Sequence, residues 1–151
     1  KAVEIYGYNN FISDTSGSLC EIVDPDDSND QVLKSLQNST LPVWIKGSED
    51  QAEELHVRFV KSPKRMFYNE DFLKTKWNEY CTIAGQEPSE VEPDDFMSTG
   101  FKALILHRIP IYSKIATNWG VTVDSSELNQ KTSHDEFVEI VAEAIDKKNQ
   151  L

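Results

Sequence analysis

The stretch from Phe101 to Asp124, FKALILHRIPIYSKIATNWGVTVD, constrains the fold more than any other part of this chain. Ala103, Leu104, His107 and Ile111 recur at helical spacing, and Tyr112, Ile115 and Trp119 carry an apolar stripe onward beyond Pro110. Pro110 lacks an N–H and its ring crowds the preceding turn, so the pattern predicts a helix kinked near His107. Beyond Trp119 and a glycine, Val121-Thr122-Val123 predicts a strand. The stretch is therefore a helix that delivers Arg108 and then a strand. On periodicity alone Arg108 is either a cation snorkelling to the surface or a functional group placed by the helix.

A length of 151 residues suits one domain with a core of ordinary size, and 38% hydrophobic with 27% charged residues is a globular composition. The formal net charge of −11 sets the average surface against nucleic acid and anionic membranes, so neither partner is expected. No apolar run approaches the roughly 18 residues of a membrane span. Cys20 and Cys81 lie far apart with no Cys-x-x-Cys or Cys/His cluster. No metal site or disulfide framework is signalled, and free thiols suit a reducing, cytoplasmic setting. The chain opens at Lys1 with no targeting segment, and a preceding portion is expected.

Residues 1–10, KAVEIYGYNN, suit a short strand or a helix end closing on a turn. In FISDTSGSLCEI the apolar lead predicts a strand running into Asp14, Thr15, Ser16, Gly17 and Ser18. Ligands bind at that end of a strand in open α/β sheets; an ordinary turn is the other reading. Pro25 to Ser28 supply helix-start chemistry for a helix over about 29–38, with Val32, Leu33 and Leu36 on one face. LPVWIKGS predicts a buried strand, and Ser48 with Gln51 forms a capping box for a helix to about Val60. Alternating strands and helices point to a parallel, helix-covered sheet.

The segment KSPKRMFYNEDF concentrates Lys61, Lys64 and Arg65 in an acidic chain. Such a loop either closes over an anionic ligand or is a solvated loop balanced by Glu70 and Asp71. Glu70 to Ala84 predicts an amphipathic helix ended by Gly85, and Pro93, Asp94 and Asp95 start the long helix. Ser133 and Glu136 form a second capping box, for a terminal helix with Phe137, Ile140, Val141, Ala144 and Ile145 as its buried stripe. Lys147 and Lys148 suit that helix's C-terminal dipole.

In this order the features resemble the C-terminal two-thirds of small P-loop kinases, the shikimate-kinase-like group in particular. FISDTSGSL is similar to the substrate loop, LPVWIKGSEDQAEELHVRF to the strand–helix unit before the lid, and KSPKRMFY to the lid. HRIPIYSKIATNWGVTVD resembles the R-x-P-L-Y-x-x-x-A-D-x-T-V pattern near the family's end. The resemblance implies a three-layer α/β/α fold with a mostly parallel sheet, and ATP and magnesium as cofactors. It implies that Arg108 grips the acceptor's anionic group and that Lys64 and Arg65 approach the transferring phosphoryl group. Asp14 would lie near the magnesium and acceptor hydroxyl, with Ser16 and Gly17 against the substrate. The family's G-x-x-x-x-G-K-[ST] loop does not occur, so the central strand that precedes it is also expected to be missing. The chain is then a fragment, or works with an N-terminal part on another chain, or uses VEIY as the absent strand.

The leading expectation is a nucleotide-dependent kinase acting on a small anionic metabolite or nucleoside, with residues 1–151 as one α/β domain and a lid plus inserted helix over about 61–95. The alternative is a non-catalytic acidic binding or interaction module with a kinase-like shell. A hydrolase built on Ser16 or Ser18 with a histidine lacks any G-x-S-x-G elbow.

Overall fold

The computed structural model describes residues 2–7, 11–15, 17–128 and 132–150. In chain order they form α1 (Ala2–Tyr6), a 3-10 turn (Gly17–Glu21), α2 (Gln31–Ser39), β1 (Val43–Lys46) and α3 (Glu49–Lys61). There follow α4 (Glu70–Ala84), α5 (Pro93–Trp119), β2 (Val121–Asp124), a second 3-10 turn (Ser125–Glu127) and α6 (His134–Asn149). The fold is α/β and predominantly helical, with a parallel two-stranded sheet. In its register Val43 pairs with Val121 and Lys46 with Asp124.

The helix ends follow local chemistry. Ser48 accepts from Gln51 N while Gln51 Oε1 accepts from Ser48 N, and Ser133 and Glu136 repeat the same reciprocal box. Each box satisfies N-terminal donors that a helix cannot pair internally. Gly85 closes α4 at φ 64°, in the left-handed region that glycine enters without a Cβ penalty. Helix α2 starts at Gln31, two residues later than the sequence suggests, because Asp30 supplies the cap to Leu33 N.

Helix α5 is the long axis of the fold. It runs unbroken through Pro110, so the proline forgoes one backbone hydrogen bond and does not interrupt the helix. Its first half packs on α3 and α4. Phe101 stacks on Phe59 at 4.0 Å, and Phe96 joins Cys81 and Val91 in an apolar cluster bordered by Trp77 and Tyr80. Its second half packs on the first 3-10 turn and the sheet, and Ile115 and Trp119 join Cys20 and Leu33 in the other core cluster. Leu33 is fully buried, so truncating it to Ala is expected to cost about 2–5 kcal/mol.

Several sequence expectations change. VEIY is helical and takes no strand position. Residues 11–15 are irregular, with Phe11 and Ile12 exposed, because a strand needs a neighbour for its backbone groups and the sheet pairs only β1 with β2. β1 is half-buried at Val43 and Trp44 and exposed at Ile45 and Lys46, whereas β2 buries Val121 and Val123. The stripe on α6 is half-buried throughout. Lys148 turns away from its own helix end and donates to the carbonyls of Ala116 and Gly120, at 3.3 and 2.7 Å, which closes the C-terminus of α5. Gly120 is required there, since a Cβ would lie 2.1 Å from the Pro42 carbonyl oxygen.

Candidate functional site

Arg108 faces inward from the middle of α5. Leu104, Ile111, Ile115 and Trp119 lie on the same side at helical spacing, so the guanidinium enters an interior that water does not reach. Nε donates to Glu21 Oε1 at 2.8 Å and Nη2 donates to the Phe67 carbonyl at 2.7 Å. The two side chains are nearly closed off, 8% exposed for Arg108 and 1% for Glu21. Buried charges persist only when paired, and removal of one partner typically costs about 3–5 kcal/mol. The pair joins positions 87 residues apart, and the Phe67 bond ties in the basic segment.

Gly17 lies against this pair. A Cβ there would stand 2.5 Å from Arg108 Nη1 and 2.6 Å from the Tyr112 hydroxyl, so only glycine leaves room for both. Tyr112 packs against the core cluster that holds Cys20. Burial, and next the neighbouring Cys20, push the Tyr112 phenol up to about 12. Burial likewise pushes the Cys20 thiol up, and both groups are neutral near pH 7. Glu21 Oε2 has no hydrogen-bond partner among the described residues although it is buried. An orphaned buried acceptor typically costs about 1–3 kcal/mol, so this oxygen stands out in the cluster.

The cluster opens onto a cleft of about 460 Å³. Cys20 and Glu21 form one wall, Asn69, Asp71, Phe72 and Thr75 another, and His107 and Ile111 complete it. The Phe72 and His107 rings pack at 4.6 Å and 35°, giving a flat apolar face beside a polar floor. Such a site, apolar on its sides with a few converging polar groups, suits a small ring-shaped ligand.

Of the residues singled out in the sequence, Arg108 and Gly17 lie against each other. Ser16 lies outside the described residues. Asp14 is exposed in the irregular 11–15 segment, and Lys64 and Arg65 are exposed in the irregular segment after α3; none of the three lines the cleft. The Phe67 carbonyl ties that basic segment to Arg108. Among the described residues no group of three or more His, Cys, Asp or Glu could hold a metal. The sequence contains no G-x-x-x-x-G-K-[ST] loop.

Sequence reasoning did not find Glu21. It is one acidic residue among many, and its partner is distant in the chain. A second group also escaped notice: His56 Nε2 lies 3.0 Å from Ser98 Oγ, and His56 Nδ1 lies 3.5 Å from Glu53 Oε1. That order of groups is the order of a hydrolytic triad. Ser98, however, lies inside α5, where backbone N–H groups are committed to the helix and none is free as an oxyanion donor. Glu53 is also shared with Lys102 at 3.1 Å. His56 is therefore a helix-to-helix tie between α3 and α5.

No helix among the described residues is long and apolar enough to cross a membrane. Comparison of the chain with protein-family models, with curated proteins and with solved structures gave no match.

Proposed function

We propose that this chain is the acceptor-binding portion of a nucleotide-dependent small-molecule kinase with a three-layer α/β/α fold, acting on a small anionic metabolite or a nucleoside. The observation that carries the reading is the meeting of Arg108 with Gly17 and with the backbone of the basic segment, beside a cleft lined by the Arg108 partner Glu21. These are the three places that the resemblance assigns to acceptor recognition and to the lid. The parallel pairing of β1 with β2 agrees with it, as does the free outer edge of β1 among the described residues, where Ile45 is 50% exposed. A further parallel strand fits beside that edge.

In this reading the chain's own residues position the acceptor. Phosphoryl transfer depends mostly on placement and charge stabilisation, and a rigid arginine on a long helix supplies placement. Lys64 and Arg65, exposed on a segment without regular structure, supply cations that can approach a bound anion. Nucleotide and magnesium are held by residues outside this sequence. The chain is cytoplasmic in the same reading.

The second reading, a non-catalytic binding module, is favoured by the neutralisation of Arg108 by Glu21 and by the exposed, separated positions of Asp14, Lys64 and Arg65. The reading frame upstream of Lys1 separates the two. The kinase reading expects a glycine-rich loop ending in Lys-Ser/Thr and ATP-dependent phosphorylation by the longer product. A frame without that loop, or a longer product that transfers no phosphate from ATP to any sugar, nucleoside or hydroxy acid, overturns it.

A further inference from the structure

We infer that the cleft beside the Arg108–Glu21 pair selects an uncharged, hydroxyl-bearing ring, a sugar or the sugar of a nucleoside, and that Glu21 is the residue that recognises it. The inference rests on the reading of the cleft as the acceptor site, and it narrows that reading to the neutral side. An arginine expected to hold an anion must present unspent charge. Arg108 does not, because Glu21 Oε1 takes Nε at 2.8 Å and the Phe67 carbonyl takes Nη2 at 2.7 Å.

What the cluster lacks is a donor. Glu21 Oε2 is buried, lies in a side chain only 1% exposed, and has no partner among the described residues. Glu21 also lines the cleft. A hydroxyl donates to such an oxygen, which an ionised carboxylate or a fully ionised phosphate oxygen does not. An ammonium also donates, but it would add a second cation beside Arg108 around a single carboxylate. The apolar wall agrees with a ring: Phe72 packs on His107 at 4.6 Å, and Ile111 lies beside them. The nearby thiol and phenol, Cys20 and Tyr112, are both held neutral by burial, so neither adds charge to the site. Asp71, at the cleft wall, adds negative charge and further disfavours an anion.

Oε2 is shielded from bulk water, so a ligand engages it together with a side-chain shift in the wall. The irregular segment between α3 and α4, tied to Arg108 through one carbonyl, is the neighbouring part of the molecule with least regular structure.

Two matched pairs of probes test the inference on the full chain: methyl glucoside against glucuronate, and adenosine against adenosine monophosphate. Binding is measured by calorimetry, and the Glu21 carboxylate carbon is followed by NMR. At least one neutral probe is expected to bind tenfold or more tightly than its anionic counterpart and to move the Glu21 carbon. Glu21→Gln, similar in shape, should weaken that probe at least tenfold. If this variant does not fold, the charge preference and carbon shift in the unmodified chain decide. Tighter binding of the anionic member, or neutral binding that leaves the Glu21 carbon unmoved, overturns the inference while the acceptor-site reading stands. No response of cleft residues to any of the four probes overturns both.

Discussion

The two halves of α5 solve different problems with one helix. From Pro93 to Leu104 its buried contacts are apolar, with the His56–Ser98 and Lys102–Glu53 bonds to α3 at their margin: Phe101 stacks on Phe59, and Phe96 meets Trp77 and Tyr80 edge-on at 4.8 and 5.7 Å. From Arg108 to Trp119 apolar packing on Cys20 and Leu33 is joined by a set of polar bonds from the helix. Arg108 bonds Glu21 and Phe67, and the Trp119 indole and Asn118 amide both donate to the Pro25 carbonyl. Apolar packing tolerates substitutions of similar volume, whereas a buried polar network depends on each member being present. The polar half is thus the part where geometry is specified, and the cleft lies there.

Substitutions can break or sharpen this contrast. The largest effect is expected from Arg108→Met, which keeps length but strands Glu21 in the interior; a loss of about 3–5 kcal/mol in denaturant unfolding is expected. A loss below about 1 kcal/mol would mean that the ion pair is not formed in solution. Next is Gly17→Ala, whose Cβ would meet Arg108 Nη1 at 2.5 Å and the Tyr112 hydroxyl at 2.6 Å. Arg108 is pinned and cannot give way freely, so about 1–3 kcal/mol should be lost. An unchanged midpoint would show that the 3-10 turn shifts at no cost.

Phe101→Leu, in the apolar half, should cost under about 1.5 kcal/mol because its neighbours can repack. A cost equal to that of Arg108→Met would erase the contrast. The smallest effect is in the pH profile. Tyr112 and Cys20 keep their protons more tightly in the fold than in the unfolded chain. Their contribution is whole below the ordinary thiol value of 9.0 and is lost as pH rises toward the Tyr112 value of about 12. Melting temperature should therefore fall over that range, and fall less in Tyr112→Phe. Equal declines in both proteins would remove Tyr112 from the explanation.

What the sequence made legible was what depends on near neighbours. Ser48 with Gln51, Ser133 with Glu136, and Gly85 after a polar–apolar run each fix a helix end through contacts a few residues long. Glu70–Ala84 matches its expected bounds for the same reason. Residues 11–15 could not be read so, because an apolar lead becomes a strand only if another strand accepts it, and their sequence says nothing of that partner. The burial of Arg108 depended on Glu21, 87 residues away. One signal was present: Leu104, Arg108, Ile111, Ile115 and Trp119 share a face, so a cation in line with four apolar residues had to point inward. Lys148 fits the dipole rule by position, yet tertiary contact sends it to another helix's carbonyls.

The most direct test of the polar half as a ligand site is the NMR signal of the Arg108 Nε–H group, followed as methyl glucoside or adenosine is added to the full chain. The bond to Glu21 should give a resolved, slowly exchanging signal, and it should move on titration while signals from Phe59 and Phe101 stay in place. A signal that stays fixed with both compounds, or is absent because the ion pair is open to water, would contradict a prepared site and leave Arg108 as an ordinary buried cation.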